Sequence, residues 1–227
     1  MSLRFVIWLA LLVASLAPAA SRAAAPPANP PGRYAPRDLC NRLPGAIAFR
    51  AALAAATTRR DGEALARLAA PGVELDFGGG AGRNMLRQRM RGSEGEGRWR
   101  ALAQLLPLGC AVSRGELTMP WFFAQDLGDL DPFEVLLATG TRVPVYPRAS
   151  ITSRPVGQLS WQLVTPVAGV DPAQAFQKVK AFQQVKLVGG ALTGYVASGQ
   201  LRSPVDYRLT AARSHGAWQI TAFIAGD

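Results

Sequence analysis

Apolar positions recur at helical spacing near the start of the folded part of the chain. Within residues 39–70 this spacing predicts one helix that contains Ile47 and Leu53. A polar break follows, and Asp61 is placed to cap a second helix through its side-chain oxygen. The pattern therefore predicts two consecutive helices before the first strong turn signal, a proline followed by a glycine.

The next segment mixes one strand with two more helices. Apolar and acidic residues alternate over residues 73–77, which predicts a short half-buried strand. Helical spacing returns over residues 84–90 and 99–106, and a polar, glycine-rich loop is predicted between them at residues 91–97. We therefore expect a mainly helical module over residues 39–125.

After residue 133 the pattern changes to short alternating runs separated by turns, which is typical of a small barrel or sandwich. Ser214-His215-Gly216 separates the last two runs and predicts a hairpin, within residues 202–227, that extends the barrel. The predicted fold class is α+β, with a helical N-terminal module, a small barrel and an added C-terminal hairpin. The predicted strands are residues 135–138, 143–146, 157–164, 179–187, 192–196, 207–211 and 218–224.

Residues 1–25 have the pattern of a secretory signal peptide. Arg4 precedes an unbroken apolar run over residues 5–17, and small residues follow Pro18. The run is shorter than the roughly 20 apolar residues that cross a bilayer, so an uncleaved membrane anchor is the less favoured alternative. We expect cleavage within residues 20–26, no membrane span afterwards, and a periplasmic or secreted protein.

The segment that follows is rich in proline. Residues 26–38 contain Pro26, Pro27, Pro30, Pro31 and Pro36, and this composition predicts an extended, mobile linker outside any core.

The formal net charge of +10 indicates polyanionic partners. Export argues against nucleic acid and favours lipid phosphates, lipopolysaccharide or acidic wall polymers. The alternative is compositional: lysine occurs only at Lys178, Lys180 and Lys186, while arginine, alanine and glycine are plentiful, as a GC-rich genome produces without selection for a ligand. We favour that alternative over a dedicated anion site.

Two cysteines, Cys40 and Cys110, remain after the predicted cleavage. Their separation fits neither a redox motif nor a zinc motif, both of which need a closely spaced pair. In an oxidising compartment two lone cysteines pair most simply with each other. We predict a Cys40–Cys110 disulfide, with two separately buried thiols as the alternative.

Three short motifs lie within residues 133–201: GTRVPVYPRAS at residues 140–150, GQL at residues 157–159, and Gly194-Tyr195-Val196 at the end of residues 182–196. They resemble bacterial SH3-like (SH3b) domains. The first motif is similar to the opening of that family, and the second is similar to its second strand. Residues 182–196 are similar to its closing pattern, in which a strand and a glycine turn precede Gly194-Tyr195-Val196. The chain departs from the family in a longer insertion at residues 165–177 and in Pro144-Val145-Tyr146, where Asn-x-Arg is common.

The resemblance implies a small barrel that binds a peptide or a cell-wall fragment on an aromatic surface. It places Tyr146 and Tyr195 near the loops around such a groove, which makes them the candidate ligand-binding residues. Peptidoglycan or an envelope protein is the implied partner. The alternative is a purely structural envelope protein whose barrel is closed.

Candidate chemistry is sparse. His215 is the sole histidine and lies in the predicted hairpin turn, which does not suit a catalytic or zinc site. The glycine-rich loop at residues 78–82 lacks the spacing of either phosphate-binding fingerprint. We therefore predict a non-enzymatic protein with no cofactor and no metal. A less favoured alternative is a hydrolase with a carboxylate among Glu74, Asp76 and Glu116.

Two charged clusters complete the candidates. Arginines at positions 83, 87, 89, 91, 98 and 100 form the densest basic patch, which we interpret as a solvated face rather than an anion site. The acidic residues of 126–134 meet no calcium-loop spacing, and we interpret them as a turn that complements nearby arginines.

Overall fold

The computed structural model describes residues 29–167 and 181–226. The predicted signal peptide, the beginning of the predicted linker and most of the insertion at residues 165–177 lie outside this range. Helices and strands both contribute extensively, so the α+β class is confirmed. No helix in the described ranges combines the length and the apolarity that a bilayer crossing requires.

The helices lie in the first half of the chain, as the pattern predicted. Asp61 caps the second helix, and its Oδ1 accepts a hydrogen bond of 2.8 Å from the backbone N–H of Ala64. The bounds are α1, Ala46–Arg59; α2, Gly62–Leu68; α3, Arg83–Arg89; and α4, Gly92–Leu105.

The predicted loop at residues 91–97 is instead the first half of α4, so that prediction is wrong. Gly95 lies so close to Met90 that a β-carbon would be 2.4 Å from the Met90 carbonyl oxygen. The indole N–H of the buried Trp99 donates a 3.0 Å hydrogen bond to the same oxygen. Tertiary packing against the turn at Met90 thus stabilises a helical start that glycine-rich composition disfavours.

The first sheet contains five strands: β1, Ala69–Glu74; β2, Ala111–Ser113; β3, Glu116–Met119; β11, Arg208–Ser214; and β12, Ala217–Ile224. Their order in the sheet is β1-β12-β11-β3-β2. Strands β1 and β12 pair in parallel, and the remaining neighbours pair antiparallel. We call this sheet, together with α1–α4, the helical unit.

The predicted C-terminal hairpin forms but does not extend the barrel. His215 and Gly216 both have positive φ values, 49° and 82°, as a two-residue type I′ turn requires. Strands β11 and β12 lie between β3 and β1, in the middle of the first sheet. Leu209 and Ile220 are buried there in one core with helix residues such as Leu102. The hairpin therefore belongs to the helical unit, because its apolar face packs against the helices.

The strands between residues 136 and 202 are β4, Leu136–Ala138; β5, Val143–Val145; β6, Gly157–Leu159; β7, Leu163–Pro166; β8, Phe182–Leu187; β9, Thr193–Ala197; and β10, Leu201–Arg202. Five of them form the second sheet in the order β10-β4-β7-β8-β9, with all neighbours antiparallel, and β5 and β6 form a separate hairpin. The predicted strand at residues 157–164 is broken at Trp161, whose φ is 47°. We call β4–β10 the all-β unit.

Residues 29–38, which we call the strap, are packed against the protein rather than held away from it. Asn29 Nδ2 donates hydrogen bonds to the carbonyls of Leu163 and Val188, at 2.9 and 3.1 Å, and its Oδ1 accepts one of 3.0 Å from the Leu163 N–H. Tyr34 is only 2% exposed. The prediction of a mobile linker outside the core is wrong for this part, because composition does not reveal these long-range contacts.

The strap joins a third core that lies between the two units. This core combines Tyr34 with residues of β2, of the 3-10 helix Trp121–Ala124, of β4 and of β7. Its buried members are Tyr34, Ala111, Trp121, Phe122, Val135, Leu137 and Leu163.

The predicted disulfide between Cys40 and Cys110 is present, and both cysteines are fully buried. Next to it, the Cys110 N–H donates to the carbonyl of Arg37, and the Leu39 N–H donates to the carbonyl of Cys110. The disulfide thus fixes the end of the strap to the start of β2.

Candidate functional site

The two candidate tyrosines face each other across the gap between β5 and β9. The Tyr146 N–H donates to the carbonyl of Tyr195 at 2.8 Å, and the Tyr195 N–H donates back to the carbonyl of Tyr146 at 2.7 Å. Directly opposed residues of an antiparallel pair project their side chains on the same face. The flanking Val145 and Val196 are buried in the core of the all-β unit. Both tyrosine side chains therefore lie on its outer face, half-buried.

A third aromatic ring extends this surface. Phe182 is half-buried and meets Tyr146 edge to face, with 6.0 Å between the ring centroids. On the other side the phenol of Tyr195 lies 3.4 Å from the Oε1 of Gln184. We call Tyr146, Phe182, Gln184 and Tyr195 the aromatic patch. Sequence reasoning proposed the two tyrosines and missed Phe182, whose position depends on the pairing of β8 with β9.

Exposed cations lie on the segments next to this patch. Arg142 precedes β5, and Arg148 follows Tyr146 in the loop that leads to β6, where Arg154 is also exposed. These three arginines add exposed positive charge to the segments that flank Tyr146 in the sequence.

The glycine-rich loop after β1 is closed by its own hydrogen bonds. Asp76 Oδ1 accepts from the N–H groups of Gly78 and Gly80, each at 2.8 Å, and the Leu75 N–H donates to the carbonyl of Gly80. Arg89 pairs with the other oxygen of Asp76. A carboxylate of this protein thus occupies the backbone N–H groups that an anion-binding loop would present to a ligand.

The pKa of Asp76 is lowered, first by the hydrogen bond from Arg89 and then by the backbone N–H of Gly80. A lowered pKa is the opposite of what a general acid needs. Glu74 and Glu116 lie on β1 and β3, and two strands of the sheet separate them. The three carboxylates of the hydrolase alternative are therefore not assembled into a site.

Four arginines of the basic patch are engaged within the fold. Arg83 donates to the carbonyl of Ala69, and Arg87 pairs with Glu63. Arg89 pairs with Asp76 as described, and Arg98 donates to the carbonyl of Arg89. These contacts hold α3 and α4 to their neighbours and give the patch a structural role.

The remaining candidates are turn residues. The ring of His215 is exposed, and its Nδ1 lies 3.0 Å from the hydroxyl of Ser214. Asp126 and Asp131 accept hydrogen bonds from backbone N–H groups two residues later. Among the described residues, no group of three or more His, Cys, Asp or Glu side chains is placed to hold a metal ion.

One polar cleft was not foreseen from the sequence. It has a volume of about 150 Å³ and lies where the helical unit meets the all-β unit. Gln104 and Leu108 line it from α4 and the following turn, and Thr139, Gly199 and Arg202 line it from the all-β unit. Gln104 and Arg202 are about a hundred residues apart in the sequence, so no local pattern indicates the cleft.

Comparisons with known proteins do not identify a family. No protein-family model matches the chain, and no curated protein matches it. Among solved structures, a designed NTF2-like protein variant shares 11% identity, with a TM-score of 0.26, over 80% of this chain and 96% of that one. At that TM-score the similarity carries no argument about fold or function.

Proposed function

We propose that this chain is an exported, non-enzymatic protein whose all-β unit is an SH3-like barrel that binds a peptide or a cell-wall component. The observation that carries the proposal is the pairing of Tyr146 with Tyr195 on the outer face. Phe182 extends their surface, and aromatic platforms of this kind bind extended peptides.

The strand order supports the SH3-like assignment. Strands β4, β7, β8 and β9 follow one another as antiparallel neighbours, and β10 returns to pair with β4 on the other side. The β5–β6 hairpin is linked to β9 by the Tyr146–Tyr195 pair. The sheet is thereby curled towards closure, as the resemblance of residues 133–201 implies.

The exposure of the tyrosines favours a ligand-binding barrel over the purely structural alternative. A structural role would be supported by tyrosines buried in the core between the two units. That core contains Tyr34, which is 2% exposed, while Tyr146 and Tyr195 lie outside it and are only half-buried.

The charge around the aromatic patch favours an acidic ligand. Arg142, Arg148 and Arg154 are exposed on the segments that flank Tyr146 in the sequence, and positive charge raises the local concentration of anionic groups. Peptidoglycan carries free carboxylates on its peptides, so wall fragments combine an extended peptide with the complementary charge. An acidic segment of an envelope protein has the same chemistry.

Export is supported by the pattern of residues 1–25 and by the Cys40–Cys110 disulfide, which fits an oxidising compartment. Expression of the full chain in a bacterium with an outer membrane tests this part. We expect the protein in the periplasm or the medium, with an N-terminus within residues 20–26 by mass spectrometry. Cytoplasmic protein that retains Met1 would contradict export.

The binding proposal is tested by co-sedimentation of purified protein with intact peptidoglycan sacculi. We expect the wild-type protein to sediment, and Tyr146→Ala and Tyr195→Ala each to weaken binding about tenfold, because each removes one ring of the platform. Added salt is expected to weaken binding as well, since salt screens the attraction between the arginines and an anionic ligand.

Tyr207 supplies the matched control. It is also half-buried, but it stacks on Phe223 in the helical unit, with 4.9 Å between the ring centroids. Tyr207→Ala is expected to bind sacculi like the wild type. The proposal fails if the wild type does not sediment, or if the Tyr146 and Tyr195 variants, folded by circular dichroism, bind as the wild type does.

A further inference from the structure

The cleft between the two units contains an arginine that the fold leaves incompletely satisfied. Arg202 is 8% exposed, and its Nη2 donates to the carbonyl of Tyr207 at 2.7 Å. Its Nη1 lies 3.3 Å from Asp206 Oδ2, and its Nε has no partner among the described residues. A guanidinium has five N–H donors, and these two contacts do not use all of them.

Asp206 provides the opposite charge at the same cleft. Its side chain is more accessible than that of Arg202, at 32% against 7%. Its Oδ1 accepts a hydrogen bond of 2.7 Å from the Tyr207 N–H, which fixes the carboxylate beside the cleft. Burial lowers the pKa of Arg202, and the nearby charge of Asp206 opposes that shift.

The balance of charge decides which ligand chemistry fits. One buried cation and one accessible anion cancel, so the cleft does not favour a polyanion. A dipolar ligand satisfies both groups at once, because its carboxylate accepts from unused N–H groups of Arg202 while its ammonium donates to Asp206. The volume of about 150 Å³ is several times the roughly 10–15 Å³ that one water molecule needs, so the cleft admits a small molecule.

We propose that the cleft lined by Gln104, Thr139, Gly199, Arg202 and Asp206 is a binding site for a small zwitterion of amino-acid size. The site is separate from the aromatic patch and does not depend on it. The exposed amide of Gln104 is placed at the cleft to donate or accept a further hydrogen bond.

Isothermal titration calorimetry of the purified protein with alanine tests the proposal. We expect saturable binding with a Kd of about 1 mM. The binding free energy per non-hydrogen atom of alanine is then smaller than that of the best small ligands. Acetate and ethylamine each carry half of the charge pattern, and we expect each to bind at least tenfold more weakly than alanine.

Two variants locate the binding. Because Arg202 is buried, substitutions are placed on its neighbours instead. Asp206→Asn keeps an acceptor for the Tyr207 N–H but removes the charge, and we expect alanine to bind at least tenfold more weakly. Gly199 lines the cleft and a β-carbon on it meets no atom within 4 Å, so Gly199→Trp is expected to obstruct the cleft and abolish binding.

Gly97→Trp is the matched control, because Gly97 is equally open but lies on the exposed surface of α4. It is expected to bind alanine like the wild type, and thermal unfolding confirms that all variants fold. The proposal is overturned if alanine gives no saturable heat, if acetate binds as tightly as alanine, or if Gly199→Trp binds like the wild type.

Discussion

The backbone oxygen of Tyr146 lies 2.5 Å from the point where a β-carbon on Gly194 would stand. Gly194 thus permits the close approach of β9 to β5 that pairs Tyr146 with Tyr195. We expect Gly194→Ala to lower the free energy of unfolding by about 2 kcal/mol, because backbone atoms must move to admit the methyl group. Urea unfolding measures this loss, and sacculus binding should fall with it, since the tyrosine pair is displaced.

A glycine with open surroundings controls for the change of residue type. A β-carbon on Gly199 meets no atom within 4 Å. Gly199→Ala is therefore expected to stay within about 0.5 kcal/mol of the wild type. Equal losses for the two variants would contradict the assigned role of Gly194.

Asn29 anchors the strap through its side chain. Asn29→Ala leaves the Leu163 N–H and the carbonyls of Leu163 and Val188 without their side-chain partner. We expect a loss of about 2 kcal/mol in the free energy of unfolding, measured with urea. Asn41, an exposed residue that accepts from Arg50, provides the comparison, and Asn41→Ala should change stability by about 0.5 kcal/mol or less.

The Cys40–Cys110 disulfide connects residues 70 positions apart. In the chain-entropy account a loop of this length contributes about 4 kcal/mol, because the crosslink restricts the unfolded chain. The double variant Cys40→Ala/Cys110→Ala should therefore unfold at a clearly lower urea concentration than the oxidised wild type. Reductant should destabilise the wild type and leave the double variant unchanged; sensitivity of the double variant would contradict this explanation.

The ion pair of Asp76 with Arg89 makes the free energy of unfolding depend on pH, and Arg89 sets the direction of that dependence. The pKa of Asp76 is lowered from 3.8 in the folded protein, so its stabilising effect is complete above that value and is lost as the pH falls through the lower, folded-state pKa. We expect Asp76→Asn to destabilise the protein near pH 7 and to differ much less from the wild type near pH 2. A difference that stays constant with pH in urea unfolding would count against the ion pair with Arg89.

Local signals in the sequence predicted the local structure well. Asp61 caps a helix and His215-Gly216 forms a two-residue turn, since both depend on neighbours within a few residues. The Cys40–Cys110 pair also followed from the sequence, because two lone cysteines have one simple partner each. The strap and the site of hairpin insertion did not follow, since Asn29 and Leu209 are positioned by partners at least 90 residues away.

The residues of the candidate site also fall into two groups: those that a local motif indicates and those that long-range packing brings together. Tyr146 and Tyr195 belong to motifs that the sequence displays, and the structure pairs them directly. Phe182 required knowledge of the register between β8 and β9, in which it pairs with Ala197. The cleft that contains Arg202 depends on packing between two units, so neither Gln104 nor Arg202 carries a recognisable signal by itself.

The central place of the C-terminal hairpin in the first sheet has a consequence for biosynthesis. Strands β1 and β3 have no neighbour between them until residues 208–224 arrive, whereas every strand of the all-β unit has been made by residue 202. We expect the all-β unit to fold while the helical unit still waits for its last strands. Until residues 208–224 arrive, the helices therefore expose the apolar surface that β11 and β12 cover in the folded protein.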